Sequence, residues 1–493
     1  MHRAMKSVLW VILAACAFRL VFAAFTGLGI DESYMVAASD HFAASYFDHP
    51  LASWWLELGS RWLFGSASPI VVRLPFVVLS AVSSWSLYGL TTRLYGPRAG
   101  FWAVVAYSIS PVFSLAFGCW VLPDGPLDAA LLAFAYALTR ALGLAATPVR
   151  PQPQWWWAAG LFAGLAMLSK YNAALVLAGA ALAVLSDGAS RRELRRFTPW
   201  GAAFLALVLF SPVVLWNFAH HWQSFTFQGG RATGLRLRPF APLAIWGGEA
   251  LFVLPWLWLP MAALLIGGLA RGPRDRPAWL LCLSALLPVA LFAIIGLWSS
   301  TKILYHWATP GYLMLLPLLG RWAAGWRAAW RNAIACLSAL LLAGAAMFIA
   351  AELTYGFIPR LDMVFPPGKS PLLQAVDWTS LRGQIPPNVQ AVAAQRWYDA
   401  GKIGYALEGS NIPVTVIGDA PHEFGITAPL AGLRGKNILI IAMPGNETAI
   451  AAAEAPYFKT LVPGPGLTVA HDGAVLLVMP TYIGIDLERV PQK

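Results

Sequence analysis

The sequence predicts a polytopic α-helical membrane protein with a small α/β domain at its C-terminal end. Three observations predict it. Of 493 residues, 58% are hydrophobic and only 12% are charged, whereas a soluble chain carries roughly twice that charged fraction. Apolar runs of about 20 residues, the length a spanning helix needs, recur along residues 1–351 and are separated by short Arg-rich links. From Glu352 onward the hydropathy falls, and short apolar runs alternate with turn-forming residues. A mean hydropathy of +0.62 and 24 Trp residues agree, since Trp favours membrane interfaces. The net charge of +11 does not point to nucleic acid. The basic residues cluster in loops between apolar runs, the pattern that orients helices in a bilayer. Cys16, Cys119, Cys282 and Cys336 lie in or beside apolar runs at spacings that fit neither a metal site nor a disulfide framework, and read as buried small hydrophobes.

The first run, residues 8–26, follows His2, Arg3 and Lys6. Arg19 interrupts it and no clear small-residue cleavage site follows, so it reads as an uncleaved first transmembrane helix. Positive residues stay inside, so this helix exits outward. The outer loop 27–69 is rich in Trp, Phe and Tyr but too interrupted to span, which predicts short helices on the membrane surface. Residues 70–90 return to Arg93 and Arg98. Residues 100–117 exit to the breaker-rich turn Leu122-Pro123-Asp124-Gly125-Pro126, and 127–145 return to Arg140 and Arg150. Two short runs, 155–168 and 171–185, meet at Ser169-Lys170 on the outside. Arg191, Arg192, Arg195 and Arg196 then form the strongest inside signal. Residues 199–216 exit to an outer loop, 217–240, holding His220 and His221, and 241–270 return to Arg271, Arg274 and Arg276. Residues 278–298 exit, 307–319 return to Arg321, Arg327 and Arg331, and 332–351 exit last. The sum is about 11 or more transmembrane helices, with every Arg cluster inside by alternation alone.

Residues 1–351 thus form the membrane domain, and 352–493 an outer α/β domain. In the latter, residues 389–394, 414–417, 438–442 and 474–479 read as strands, and 398–407 and 447–454 as helices. The sequence Asn446-Glu447-Thr448 matches a glycosylation acceptor and reads as a chance occurrence.

The topology puts Asp31, Glu32, Asp48, His49, Asp124, Lys170, His220, His221, Lys302 and His306 on one face. Ionisable groups gathered at successive helix ends on one side mark external chemistry. Lys170 is the sharpest case: it lies at a bend between two short helices in apolar surroundings and needs an anion, either a phosphate or one of these carboxylates. Such a set suits transfer from a phosphorylated lipid. The leaving phosphate needs a cation, and the acceptor hydroxyl needs a carboxylate base, for which Asp31 and Glu32 are the candidates. Asp48 and His221 are the candidate ligands of a divalent cation, at a spacing of low specificity.

These motifs are also familiar. Asp31-Glu32-Ser33-Tyr34 followed by Tyr46-Phe47-Asp48-His49-Pro50 resembles the first outer loop of the bacterial glycosyltransferase family 39/83 group, related to the protein O-mannosyltransferases and the lipid A aminoarabinose transferase. Val72-Arg73-Leu74-Pro75, Pro123-Asp124-Gly125-Pro126-Leu127, Leu168-Ser169-Lys170-Tyr171-Asn172 and Lys302-Ile303-Leu304-Tyr305-His306-Trp307 agree in order. Gln395-Arg396-Trp397-Tyr398-Asp399-Ala400 is similar to the outer domain of that group. The resemblance implies a GT-C fold, a polyprenyl-phosphate sugar donor, inversion at the sugar carbon, a bacterial inner membrane and a periplasmic active site. It implies that Asp31 is the catalytic carboxylate, with Glu32 beside it. Lys170, Asp124, His49, Tyr34, Lys302 and His306 become the donor- or phosphate-binding set. His49 stands where the aminoarabinose transferase has a Lys, and Tyr34 where it has an Arg, which argues against aminoarabinose as the sugar. Many relatives carry a His shortly after the Phe-Gln at 227–228. Gly230 and Arg231 follow here instead, which counts against a metal.

The leading expectation is an enzyme moving a sugar from polyprenyl phosphate to an envelope glycolipid or glycan. A protein O-mannosyltransferase is the alternative among enzymes. A lipid-linked sugar flippase is the alternative of another class; transporters place ionisable groups mid-helix and show repeats, whereas here the charges sit at helix ends. A non-catalytic glycan-binding scaffold would leave Asp31 and Lys170 without a purpose.

Overall fold

The computed structural model describes residues 2–234, 236–356, 372–445, 447–471 and 474–490. Asn446 of the glycosylation sequence lies outside them. In chain order the main helices are α1 (His2–Phe25), α2 (Ile30–Ala38), α3 (Ala52–Phe64), α4 (Pro69–Tyr95), α5 (Pro97–Ile109), α6 (Asp124–Ala141), α7 (Trp155–Ser169) and α8 (Ala173–Ser186). There follow α9 (Phe197–Ala219), α10 (Gln223–Gly230), α11 (Ala241–Val253), α12 (Pro255–Arg271), α13 (Arg276–Gly296), α14 (Thr309–Ala324) and α15 (Ala328–Tyr355). Every apolar run picked out in the sequence is helical, and the outer loop carries two short helices, α2 and α3, as predicted.

The number of spans is a different matter. Among the described residues, five helices are long and apolar enough to cross a membrane singly: Met5–Phe25, Pro69–Tyr95, Phe197–Ala219, Arg276–Gly296 and Ala328–Tyr355. Two bent pairs raise this to seven, and α7 and α8 are shorter apolar helices. The count of about 11 therefore includes helices that are short or broken, and α6, whose 18 residues carry Asp124, Asp128 and Arg140. Both breaks have a local cause. Pro111 lacks an N–H and crowds the preceding turn, and the chain resumes as a π turn, Val112–Ala116, bent by 81° from α5. Leu254 takes a left-handed φ of 90° before Pro255 starts α12, giving a 118° bend within the run 241–270, for which the sequence allows a surface portion.

The chain forms two compact units. One comprises Met1–Leu20, Ala43–Ser53 and Leu74–Gly344, the other Val21–Phe42, Trp54–Arg73 and Ala345–Lys493. This division does not coincide with the boundary drawn at 351. Most of the first outer loop, 27–69, belongs with the C-terminal domain, because α2 packs along a helix there, α16 (Trp397–Ala406).

The first unit is helical. Leu, Ala and aromatic side chains of α5 to α8 and α11 to α14 form its buried core. At the start of α6, a Cβ on Gly125 would lie 2.9 Å from Phe117 O, so only glycine lets this turn approach the segment that follows the π bulge.

The second unit carries β1 (Ala391–Ala394), β2 (Val414–Val416), β3 (Ile438–Ile441), β4 (Phe458–Pro463), β5 (Leu467–His471), β6 (Ala474–Met479) and β7 (Thr481–Leu487). A five-stranded sheet has the order β2-β1-β3-β7-β4, with β1 parallel to β2 and β3, and β7 antiparallel to β3 and β4. β1, β2 and β3 are buried throughout, which is why they read as unbroken apolar runs. β6, predicted as a buried strand, pairs only with β5 in a separate ribbon and exposes Val475 and Val478. β4 is buried at Phe458 and β7 at Thr481, Gly484 and Leu487, their other positions being half-buried or exposed; neither strand was predicted from the sequence.

Candidate functional site

The predicted residues fall into two clusters, one in each unit. In the first unit, α7 ends at Ser169, Lys170 takes an extended conformation (φ −156°, ψ 139°), and α8 begins at Ala173. The short link turns the Lys170 side chain onto Asp124 in the first turn of α6. Lys170 Nζ donates to both carboxylate oxygens, at 2.9 and 2.8 Å. Lys170 is 6% exposed and Asp124 1%. The anion that Lys170 requires is thus present, in the form of the second alternative raised by the sequence.

Beside this pair lies a cavity of about 220 Å³ whose polar lining includes Lys170, His49, Gln228 and Arg231. Leu291, Phe292 and Ile295 of α13 supply part of its apolar wall. Arg231 donates to Gln228 Oε1 at 3.0 Å, and its guanidinium lies over the rings of Phe227 (4.6 Å) and Trp307 (4.8 Å). Gln228 Nε2 in turn donates to Asp48 O at 2.5 Å, tying the 43–53 loop to α10. His49 is half-buried, and its Nδ1 meets no hydrogen-bond partner among the described residues. Burial, then the charge of Lys170, lowers its pKa to about 3, so the imidazole is neutral. The same two causes lower His306 to about 4.

Sequence reasoning passed over two residues of this unit. Arg231 was noted only as a departure from the relatives' His, although a cation flanked by aromatic residues is itself a signal. Asp128 follows Asp124 by four residues, hence on the same helix face. It is 1% exposed, and neither carboxylate oxygen meets a partner among the described residues.

Three predicted residues of this unit stand apart. Lys302 is exposed. His220 is stacked on Trp216 at 4.0 Å, with Nδ1 2.8 Å from Trp216 O. His221 is an exposed turn residue with φ 54°, whereas Asp48 is buried. Among the described residues no group of three or more His, Cys, Asp and Glu side chains could hold a metal. Asp48 and His221, the pair suggested by the sequence, belong to no such group.

In the second unit, Asp31 lies exposed in the first turn of α2, where the helix dipole favours a carboxylate. Glu32 beside it is 3% exposed. Its oxygens accept from Arg73 Nε at 2.7 Å and Arg73 Nη2 at 2.6 Å, and Oε2 also accepts from Gly29 N at 2.9 Å. Arg73 further donates to Thr26 O, Thr26 Oγ1 and Gly27 O. Glu32 therefore caps α2 and holds its entry, rather than sharing the exposed position of Asp31. Tyr34 is 4% exposed, packs edge-on against Trp397 (4.8 Å) and Trp54 (5.7 Å), and its hydroxyl accepts from Glu423 N at 2.9 Å. It sits in the core of the α2–α16 contact.

With this geometry in view, the comparisons with known proteins are informative. Residues 48–216 match the family model of the dolichyl-phosphate-mannose-protein mannosyltransferases. The chain is 25% identical over 342 residues to the undecaprenyl phosphate-alpha-4-amino-4-deoxy-L-arabinose arabinosyl transferase of Pectobacterium carotovorum, covering 66% of this chain and 58% of that protein. It is 26% identical over 327 residues to the lipid A galacturonosyltransferase RgtD of Rhizobium johnstonii, covering 62% of this chain and 63% of that protein. The chain spans less than two thirds of the length of these curated relatives. Its fold is similar to the crystal structure of ArnT from Cupriavidus metallidurans in the apo state, with a TM-score of 0.59 at 16% identity, covering 99% of this chain and 100% of that one. The same protein bound to undecaprenyl phosphate gives 0.57. The fold is thus similar to that of ArnT, and the relatives matched in sequence are named as sugar transferases.

Proposed function

We propose that the chain transfers a sugar, with inversion, from undecaprenyl or a similar polyprenyl phosphate to a lipid A-type glycolipid at the periplasmic face of the inner membrane. The observation that carries this reading is the cavity beside Lys170. It joins two cations, Lys170 and Arg231, to an apolar wall of α13, the combination that a phosphate on a prenyl chain requires. Relatives named as undecaprenyl phosphate and lipid A sugar transferases support the donor and acceptor classes.

Asp31, the exposed carboxylate at the start of α2 in the second unit, is the base that the sequence motif supplies for the acceptor hydroxyl. The acceptor oxygen attacks the anomeric carbon from the side opposite the phosphate. The bond between that carbon and the phosphate oxygen breaks, and its electron pair leaves with the phosphate. Lys170 and Arg231 stabilise the charge that develops there. His49, neutral, adds a polar contact without competing for the anion, and Asp124 keeps Lys170 oriented between turnovers. Glu32 and Arg73 act one step removed, by holding the turn that presents Asp31.

The match to the mannosyltransferase family model favours a second reading, in which the acceptor is a protein hydroxyl. Mass spectrometry of envelope lipids, glycans and proteins, with and without the gene and with an Asp31→Asn copy restored, separates the possibilities. The proposed function requires a sugar to vanish from a glycolipid and stay absent when the Asp31→Asn copy is supplied. A sugar lost from proteins instead selects the second reading. Unchanged glycans with a polyprenyl-phosphate sugar accumulating on one leaflet would point to transport, and full rescue by the variant would remove Asp31 as the base.

A further inference from the structure

The turn that presents Asp31 is fastened by a residue far along the chain. Lys402, on α16, is 3% exposed. Its Nζ donates to three main-chain carbonyls: Leu28 O at 2.9 Å, Val376 O at 2.8 Å and Gln374 O at 3.2 Å. Its ammonium also lies 5.7 Å from the ring centroid of Trp378. Leu28 sits in the short link between α1 and α2, three residues before Asp31. The 374–376 segment lies directly against that link, since a Cβ on Gly27 would come within 2.3 Å of Ala375 O.

The carbonyls of Thr26 and Gly27 point to Arg73, and the carbonyl of Leu28 points to Lys402. Three successive peptide groups are therefore oriented by two buried cations. Fixing three consecutive carbonyls fixes the direction in which α2 starts, and Asp31 stands in its first turn. Stability is a poor reason to keep an ammonium here. Taking it out of water is costly, and apolar residues often replace buried ions without loss. Burial also pulls the pKa of Lys402 down to about 8.

We propose that Lys402 is a positioning residue for Asp31: by bridging the 26–29 link to the 374–376 segment, it holds the first turn of α2 in the orientation that transfer requires. This rests on the reading of Asp31 as the base. It gives the C-terminal domain a part in the reaction, because the carbonyl ties come from residues of that domain.

The test uses the purified full-length chain and its Lys402→Met, Lys402→Arg, Gly27→Ala and Asp31→Asn variants. Three quantities are read: hydrogen exchange of the amides in 26–35, affinity for undecaprenyl phosphate, and the rate of sugar transfer in membranes of a gene-deleted strain. Lys402→Met is expected to speed exchange of the 26–35 amides at least tenfold. Transfer should slow by about 10- to 100-fold, the scale of a small misplacement of a reacting group, with undecaprenyl phosphate affinity unchanged within about twofold. Lys402→Arg, which keeps a cation and its donors, is expected to recover most of both. Gly27→Ala, which pushes on the same contact from the other side, is expected to reproduce the Met variant and serves in its place should that variant not fold. Wild-type transfer by Lys402→Met beside a dead Asp31→Asn overturns the proposal, as does a slow Lys402→Met whose 26–35 amides exchange as in the wild type. Normal turnover by Asp31→Asn overturns the reading of Asp31 instead, while the exchange data still report whether Lys402 holds the link.

Discussion

Replacing Lys170 by Met tests the phosphate site most directly, provided its partner is changed too. Lys170 Nζ is bound to both oxygens of an Asp124 carboxylate that is 1% exposed. The single variant strands that carboxylate, and breaking a buried pair from one side costs about 3–5 kcal/mol. Loss of binding would then be confounded with loss of fold. Lys170→Met with Asp124→Asn removes both charges and leaves no buried ion. What remains missing is one charge-assisted hydrogen bond to the donor phosphate, worth about 1.5–3 kcal/mol, or about 10- to 100-fold in Kd at 1.4 kcal/mol per tenfold. Binding should weaken without vanishing, because Arg231 still faces the same cavity. The assay is a titration of the detergent-solubilised protein with undecaprenyl phosphate, alongside a thermal melt. A double variant that melts like the wild type and binds within twofold of it would refute the assignment of the cavity. An Arg231→Gln change added on top should then abolish measurable binding.

Other outcomes follow from the same structure. Arg73→Met strands Glu32 and the carbonyls around Gly27, so it should destabilise the protein by about 3–5 kcal/mol, and adding Glu32→Gln should recover part of that. A melting temperature unchanged by Arg73→Met would refute the account of the α2 entry. Glu57, on α3, faces Arg61 at 3.7 Å and accepts a hydrogen bond from Ser39, yet burial dominates and raises its pKa to about 8. The folded protein therefore holds a proton on Glu57 that the unfolded chain releases above its ordinary value near 4.5. This contribution is complete below that value and falls as pH rises toward 8, by at most about 1.4 kcal/mol per pH unit. Melting temperatures measured from pH 5 to 8 should fall more steeply in the wild type than in Glu57→Gln, and equal slopes would contradict this. His49, held neutral near a pKa of 3, should not shape the pH–rate profile between pH 5 and 8. A His49→Gln variant whose profile shifts in that range would show that the imidazole ionises.

How much of this was legible in the sequence depends on the range of the forces involved. Helix and strand identity follow from local pattern: an apolar run must bury its backbone hydrogen bonds whatever surrounds it, so the predicted helical runs, including those of the outer loop, are found as helices. The broken helices were marked by Pro111 and Pro255, but a proline shows where a helix bends and not by how much. β4 and β7 are mostly half-buried or exposed and lack the continuous buried runs that marked β1 to β3. Lys170 was legible because a lysine in apolar surroundings must have an anion. That the anion is Asp124, 46 residues earlier, is a matter of packing.

By itself the sequence determined the multi-pass helical class, the helical runs and the candidates for the reaction, because each depends on composition or on neighbours within a turn or two. Only the tertiary structure decided what surrounds each candidate. Asp31 and Glu32 are adjacent in sequence, yet one is exposed and the other is buried on Arg73. Tyr34 stands within the motif yet is buried against Trp54 and Trp397, while Lys402 gains its importance from partners distant in the chain. The physical reason is that a side chain's chemistry is set by its solvation and its charged neighbours, and long-range packing supplies both.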